Sequence, residues 1–235
     1  MKALDLCCKA GGASMGLHQA GFEVTGIDIE KQKRYPFTFY QGDILAINIE
    51  WARQFDLVWA SPPCQAHSAL KVLHNAKKHP DLIPGTRALL KAIGKPYVIE
   101  NVVGAPLINP VRLCGTMFGL GVQDADLRRH RIFECSFPVE ELKCNHGARA
   151  TIGIYGGHIR NRKRTISPTG HEIVANSAAR RLNREAGYPD FTIKDGYEAM
   201  GINWMVRDEL SQAIPPAYSK YLAEQFLKAN APATR

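Results

Sequence analysis

The segment Ser61 to Ser68, SPPCQAHS, carries Cys64 on a loop stiffened by Pro62 and Pro63. It follows FDLVWA (Phe55 to Ala60), an apolar run of the length of a buried strand. Open α/β sheets bind ligands just beyond the carboxyl ends of their strands, so a cysteine here is a candidate nucleophile. The thiolate is the reactive form, and a helix N-terminus or a nearby cation would raise its population. A lone cysteine is more often a small buried hydrophobe, so the chemical reading depends on its surroundings. Two other strands supply them. EVTGIDIE ends in Asp28, and PYVIENV ends in Glu100 and Asn101, so Asp28, Cys64 and Glu100 converge on one sheet edge.

The elements that must position these groups read as a doubly wound sheet. Met1 to Cys8 is a first strand, and KAGGASMGLHQAGF is a glycine turn running into a helix from about Ala13. Gly11 and Gly12 let the backbone approach a ligand at the positive end of that helix. A strand, a glycine turn, a helix and a second strand ending in an acid make a nucleoside-binding half, with Asp28 placed for ribose hydroxyls. The turn is not G-x-G-x-x-G, which argues against a dinucleotide. FTFYQGDI gives a short third strand with Asp43 at its end, and Asp81 to Ile93 has helical apolar spacing. Val111 to Leu120 reads as packing. LRRHRIFE sets Arg129 and Arg131 two apart, on one side of a strand. From Glu140 to about Asp195 the chain turns basic and rich in Gly, Asn and Ser, with HIRNRKR (His158 to Arg164) and ARRLNRE (Ala179 to Glu185). A final helix lies in IPPAYSKYLAEQFLKA, and NAPATR after it is expected to fray.

A chain of 235 residues can bury one sizeable core. Lys and Arg exceed Asp and Glu by 30 − 22 = 8, which favours a polyanionic partner, nucleic acid being the commonest. Six scattered cysteines without a secretory signal read as reduced thiols in a cytoplasmic protein. No apolar run approaches the ~18 residues of a membrane span, and there is no internal repeat.

Together these motifs resemble one family, the S-adenosylmethionine-dependent DNA cytosine-5 methyltransferases, and within it the short phage-type members. The matches are LDLCCKAGGASMGL, GIDIE, SPPCQAHS, IENV, LRRHR and QAIPPAY, in the family's order from Leu4 to Tyr218. The resemblance implies a Rossmann-like class I methyltransferase sheet that takes S-adenosylmethionine and releases S-adenosylhomocysteine. It implies that Cys64 adds to carbon 6 of cytosine, making carbon 5 nucleophilic enough to take a methyl group. Glu100 would hold a proton on ring nitrogen 3, which requires its ionisation to be suppressed. Arg129 and Arg131 would hold the base oxygen, the flanking phosphate and the loop. Because carbon 6 is inaccessible in a duplex, the base must be flipped out. For the cofactor, Asp28 would take the ribose, Ile29 would pack on adenine, and Asp43 with Ile44 beside it would accept from the adenine amino group. Gly11 and Gly12 would approach the methionine part, and Ser68 would contact phosphate.

Several positions depart from the pattern. Cys7 stands where an aromatic is frequent and Lys9 where a glycine is usual, and Lys9 is placed to reach the cofactor carboxylate. Leu127 and Gln212 replace a typical Gln and Asn, with Gln212 at the expected C-terminal cofactor contact. Only about 75 residues separate Arg131 from Gln212, little for a recognition insert, and the basic stretch from His158 to Arg184 is assigned to DNA through Arg160, Arg162, Lys163 and Arg164.

Competing readings exist for each motif. Glu100 and Asn101 could cap a strand, and Arg129 and Arg131 could be a surface pair. His67 follows Cys64 closely enough for a thiol-protease dyad, but such an enzyme would not need the glycine loop or Asp28. Cys114, Cys135, Cys144 and His146 suggest zinc only weakly, because C-x-H is a poor ligand spacing and C-x-x-C is absent, so no metal is expected. The expected organisation is a core over 1–135, a small basic insert over 136–195 and a segment over 196–235 that returns to the core. The expected activity is methyl transfer to carbon 5 of cytosine in double-stranded DNA by a monomer, in restriction-modification or as a solitary mark. An RNA cytosine-5 methyltransferase and a catalytically silent DNA-binding relative are the alternatives.

Overall fold

The computed structural model describes residues 1–67, 80–155, 158–161, 165–166, 172–173 and 191–231. The chain forms two compact units. The first comprises Met1–Leu113, His130–Leu142 and Ala213–Arg235, and the second Cys114–Arg129 and Lys143–Gln212. The sequence-based boundaries at 135 and 195 thus fall elsewhere. The second unit also takes the excursion between two strands of the first, and the first resumes at Ala213, later than expected.

In the first unit, β1 (Lys2–Leu6), β2 (Glu23–Asp28), β3 (Thr38–Gln41), β4 (Leu57–Ala60) and β5 (Tyr97–Asn101) are parallel; β9 (Arg131–Cys135) runs antiparallel between β5 and β6 (Val111–Leu113), which thus shares the direction of the first five. The order is β3-β2-β1-β4-β5-β9-β6. The chain winds outward from β1 through β2 and β3, then returns to place β4 on β1's other side. That reversal opens a crevice at the carboxyl ends of β1 and β4, where a doubly wound sheet takes its ligand. The α-helices of the described residues are α1 (Gly12–Gln19), α2 (Ile49–Ala52), α3 (Ile83–Ile93), α4 (Ile193–Met200), α5 (Arg207–Gln212) and α6 (Pro216–Ala229). None of the described helices is long and apolar enough to cross a membrane.

Strand and helix boundaries follow from local chemistry. β4 is wholly apolar and buried because both faces of the sheet are covered, and β1 buries Ala3, Leu4 and Leu6 together with the carboxyl of Asp5. α3 starts at a proline and stops at Gly94, whose φ of 71° lies in the left-handed region. Its buried Leu89, Leu90 and Ile93 join a core cluster with Leu4, Leu6, Ile27, Val58 and Ile99, while Ile83 packs with Ala105 and Ile132. The other face carries Trp59, Phe133 and Tyr218, whose rings pack at 5.7 and 6.2 Å. α6 lies along α1, and Ser219 Oγ donates to the Ala13 carbonyl at 2.7 Å. A Cβ at Gly12 would sit 2.5 Å from the Ile214 carbonyl oxygen, so this glycine is required by packing as well as by any ligand.

The second unit holds β7 (Gly121–Val122), β8 (Ala125–Asp126), β10 (Ala150–Tyr155) and β11 (His158–Asn161) in the order β11-β10-β8-β7, with β12 (Thr165–Ile166) pairing β13 (Glu172–Ile173). α4 opens with a capping box in which Thr192 and Asp195 exchange side-chain-to-backbone hydrogen bonds. α5 ends the unit.

Candidate active site

Strand register brings the predicted groups to one edge. Leu6 pairs with Ile27 on one side and Ala60 on the other, and Ala60 pairs with Ile99. Asp28, Cys7, Ser61 and Glu100 therefore leave the sheet side by side. At about 4.8 Å per strand, the strands of Asp28 and Glu100 are about 14 Å apart, the span of a nucleoside and a small acceptor.

The Cys64 loop is fastened from below. The Ser61 N–H donates to the Leu6 carbonyl at 3.0 Å, and Trp59 Nε1 donates to Ser61 Oγ at 2.9 Å. Asn101, fully buried at the end of β5, donates through Nδ2 to the Pro62 carbonyl at 3.0 Å. Sequence reasoning gave Asn101 no part in the site, although its position directly after Glu100 was the available signal. It locks the proline loop to the strand that bears Glu100. Cys64 is half-buried, and its carbonyl accepts from the His67 N–H at 3.0 Å. His67 Nε2 lies 2.9 Å from Asp81 Oδ1, so its ring is engaged in holding the loop.

Glu100 is 7% exposed, and its Oε1 lies 3.0 Å from Arg131 Nε. The two arginines part company. β9 begins at Arg131, so Arg129 precedes the strand and does not share its face. Arg129 is buried in the second unit, donating to the carbonyls of Ile154 and, at 2.8 Å, Ser211. It braces that unit's backbone, while Arg131 steadies the carboxylate.

On the cofactor side, Asp28 is 2% exposed and accepts from the N–H groups of Lys9 and Glu30, both at 3.0 Å. Gly11, at φ 84°, and Lys9, at φ 44°, shape the turn before α1. The left-handed backbone at Lys9 explains why a glycine is the usual occupant there. Lys9 Nζ pairs with Glu30 at 3.1 Å and stands 3.9 Å from Asp28. Burial, with Asp28 and Asp5 nearby, pushes the Cys7 thiol up to about 12, so this cysteine stays protonated. Burial followed by Glu134 does the same to Cys135. Asp43 caps the turn Ile44–Ala46 by accepting from the Leu45 N–H at 2.9 Å, and Ile44 is buried behind it. A cavity of about 440 Å³ opens here, lined by Ile27, Tyr40, Asp43 and Trp51 among others. Ile29 is 66% exposed, an apolar side chain left for a flat ligand to cover. A buried acid, a left-handed glycine turn and an apolar recess with a carboxylate at its rim fit the nucleoside and amino-acid ends of S-adenosylmethionine.

The remaining predicted residues belong to the second unit or fall beyond the described residues. Gln212 is exposed at the end of α5, in the second unit. Arg160 is on β11. Ser68, Arg162, Lys163 and Arg164 fall outside the described residues, as does most of the basic stretch.

Beneath the glycine turn, the fully buried Asp5 accepts from Ser14 Oγ, which also meets Tyr35 Oη at 2.8 Å. Burial raises the Asp5 carboxyl to about 7, and the Ser14 hydrogen bond only partly opposes this. A carboxyl raised on folding contributes stability below its unfolded pKa, and that contribution is lost as pH rises toward 7. Asp5→Asn should therefore be more stable than the parent at pH 8 by a few kcal/mol, and its melting temperature should be flatter between pH 4 and 7. Parallel pH dependences for the two proteins would refute this.

The fold is a Rossmann-like doubly wound sheet of the kind found in methyltransferases. Residues 1–106 match the family described as C-5 cytosine-specific DNA methylase, which bears out the resemblance read from the motifs. Similar solved structures include an Escherichia coli protein described as a candidate DNA modification methyltransferase encoded within a prophage, at a TM-score of 0.62 and 12% identity, over 97% of this chain and 99% of that one. The Entamoeba histolytica methyltransferase EhMeth gives 0.61 and 13% over 99% of both chains, and the S. pombe Dnmt2 methyltransferase 0.58 and 13% over 98% and 99%. These likenesses carry the fold. No curated protein matches the chain by sequence. The family implies S-adenosylmethionine as methyl donor.

Proposed function

We propose that this protein transfers a methyl group from S-adenosylmethionine to carbon 5 of cytosine in double-stranded DNA, with Cys64 as the covalent nucleophile. The observation that carries the reading is the shared edge: the Cys64 loop is tied through Asn101 to the strand whose Glu100 is held by Arg131.

Carbon 5 of cytosine is too weak a nucleophile to react unaided. The Cys64 sulfur forms a bond to carbon 6, and the ring electrons move toward carbon 5 while Glu100 holds a proton at ring nitrogen 3. Bound S-adenosylmethionine supplies a sulfonium methyl group. Loss of the carbon 5 proton then releases Cys64. Arg131 positions Glu100, Asn101 positions the loop, and neither need touch the base. The target base must leave the helix to reach Cys64.

The net charge of +8 and the match to a DNA methylase family support DNA as substrate. Arg160, Arg162, Lys163 and Arg164 are the proposed phosphate contacts, with Ser68 on the target side. Neutralising the four cations should weaken DNA binding and flatten its salt dependence. Tritiated methyl incorporation decides the substrate: we expect labelling of duplex DNA and none of transfer RNA, and bisulfite sequencing then reads the site. Labelling of transfer RNA alone would replace DNA by RNA, and labelling of neither would favour a silent relative.

A further inference from the structure

We propose that the second unit holds a zinc ion on Cys114, Cys144 and His146, with a fourth, non-protein ligand completing the tetrahedron. One donor atom from each of these three residues lies within 4.8 Å of the others. Two thiols and an imidazole are a donor set that favours zinc, in tetrahedral geometry.

The pieces come from two segments of that unit. Cys114 caps the turn Gly115–Phe118, and its Sγ lies 3.3 Å from His146 Nε2. Zinc–sulfur and zinc–nitrogen bonds of about 2.3 and 2.0 Å place tetrahedral ligand atoms roughly 3.5 Å apart, so this pair already has coordinating separation and the set need contract by only about 1 Å. Cys144 and His146 lie in a stretch without helix or strand. A single residue separates the two donors, and the fold nevertheless brings both to Cys114. Arg128 donates to the Gly147 carbonyl at 2.6 Å, drawing the residue after His146 toward the chain just before His130. Both Cys144 and His146 are exposed, so burial does not explain why this stretch is placed with its donors together. Cys135, which the sequence grouped with them, is in β9 of the large sheet and takes no part.

The full-length protein, purified without chelator, should contain about one zinc per chain by elemental analysis. Cobalt substitution should give the visible bands of a tetrahedral ion and a thiolate charge-transfer band. Cys144→Ser and His146→Ala should each lose the metal and these bands, whereas Cys135→Ser should keep them. Because Cys144 and His146 are exposed, circular dichroism should show that the variants remain folded; the cobalt spectrum of the unmutated protein is a readout that needs no variant. Absence of zinc with no tetrahedral cobalt spectrum, metal content unchanged in Cys144→Ser, or a Cys114–Cys144 disulfide in the purified protein would each overturn the proposal. None of these outcomes depends on the methylation reading.

Discussion

Cys64→Ala is expected to lower methyl transfer by at least about 10³-fold, the scale on which nucleophiles are lost, with little change in melting temperature. The two parts of the expectation have separate causes. The loop is held by Ser61, by the Pro62 carbonyl on Asn101 and by His67 beside Asp81, none of which involves the Cys64 sulfur. Removing the sulfur therefore leaves these ties in place and deletes the proposed nucleophile. DNA containing 5-fluorocytosine gives the complementary readout. Fluorine at carbon 5 cannot leave as a proton, so the parent enzyme should remain covalently bound after denaturation when cofactor is present, and Cys64→Ala should not. Full-rate labelling of cytosine by the variant would end the proposal.

Arg87→Ala should cost about 3 kcal/mol of stability without touching the site. Glu134, on β9, is 4% exposed, and Arg87 of α3 grips it through Nε at 2.9 Å and Nη2 at 2.7 Å. The Ile108 N–H adds a third donor at 2.8 Å. Burial alone would raise the Glu134 carboxyl, but these hydrogen bonds and the Arg87 charge outweigh it and hold it below the ordinary glutamate range. Loss of Arg87 strands a buried carboxylate, which is far more damaging than loss of both partners. The pH dependence follows from the sign of the shift. A depressed carboxyl stabilises the fold above the ordinary glutamate pKa of about 4.3, and that contribution is lost on acidification below it. Chemical denaturation should show the deficit of Arg87→Ala at pH 7 shrinking toward pH 3, and Glu134→Gln should lack the parent's acid-side slope. Equal stability of Arg87→Ala and parent at pH 7 would refute the account.

The sheet was legible because its signals are local. Apolar runs in β4 and at the start of β5 mark strands covered on both faces, and β2 and β5 end in the polar groups Asp28, Glu100 and Asn101 that register brings beside the loop after β4. Asp28, the Cys64 loop and Glu100 emerged on a common edge for that reason. What escaped reading depends on contacts between distant residues. Arg129 and Arg131 look like a strand pair until β9 is seen to start between them. Asn101 resembles a cap until Pro62 is brought to it. Cys114, Cys144 and His146 of the second unit come from segments whose separation defeats any spacing rule. The unit boundaries were missed because the second unit is assembled from two stretches of chain.

The lodging of α6 against α1 has a consequence for biosynthesis. Ala13 finds its Ser219 partner 206 residues downstream, and Gly12 abuts Ile214, so the floor of the glycine turn cannot be completed while those downstream positions are still untranslated. A nascent polypeptide therefore emerges with its first apolar helix uncovered, a client for chaperones. The glycine turn should therefore reach its native packing only after Ile214 and Ser219 have been synthesised.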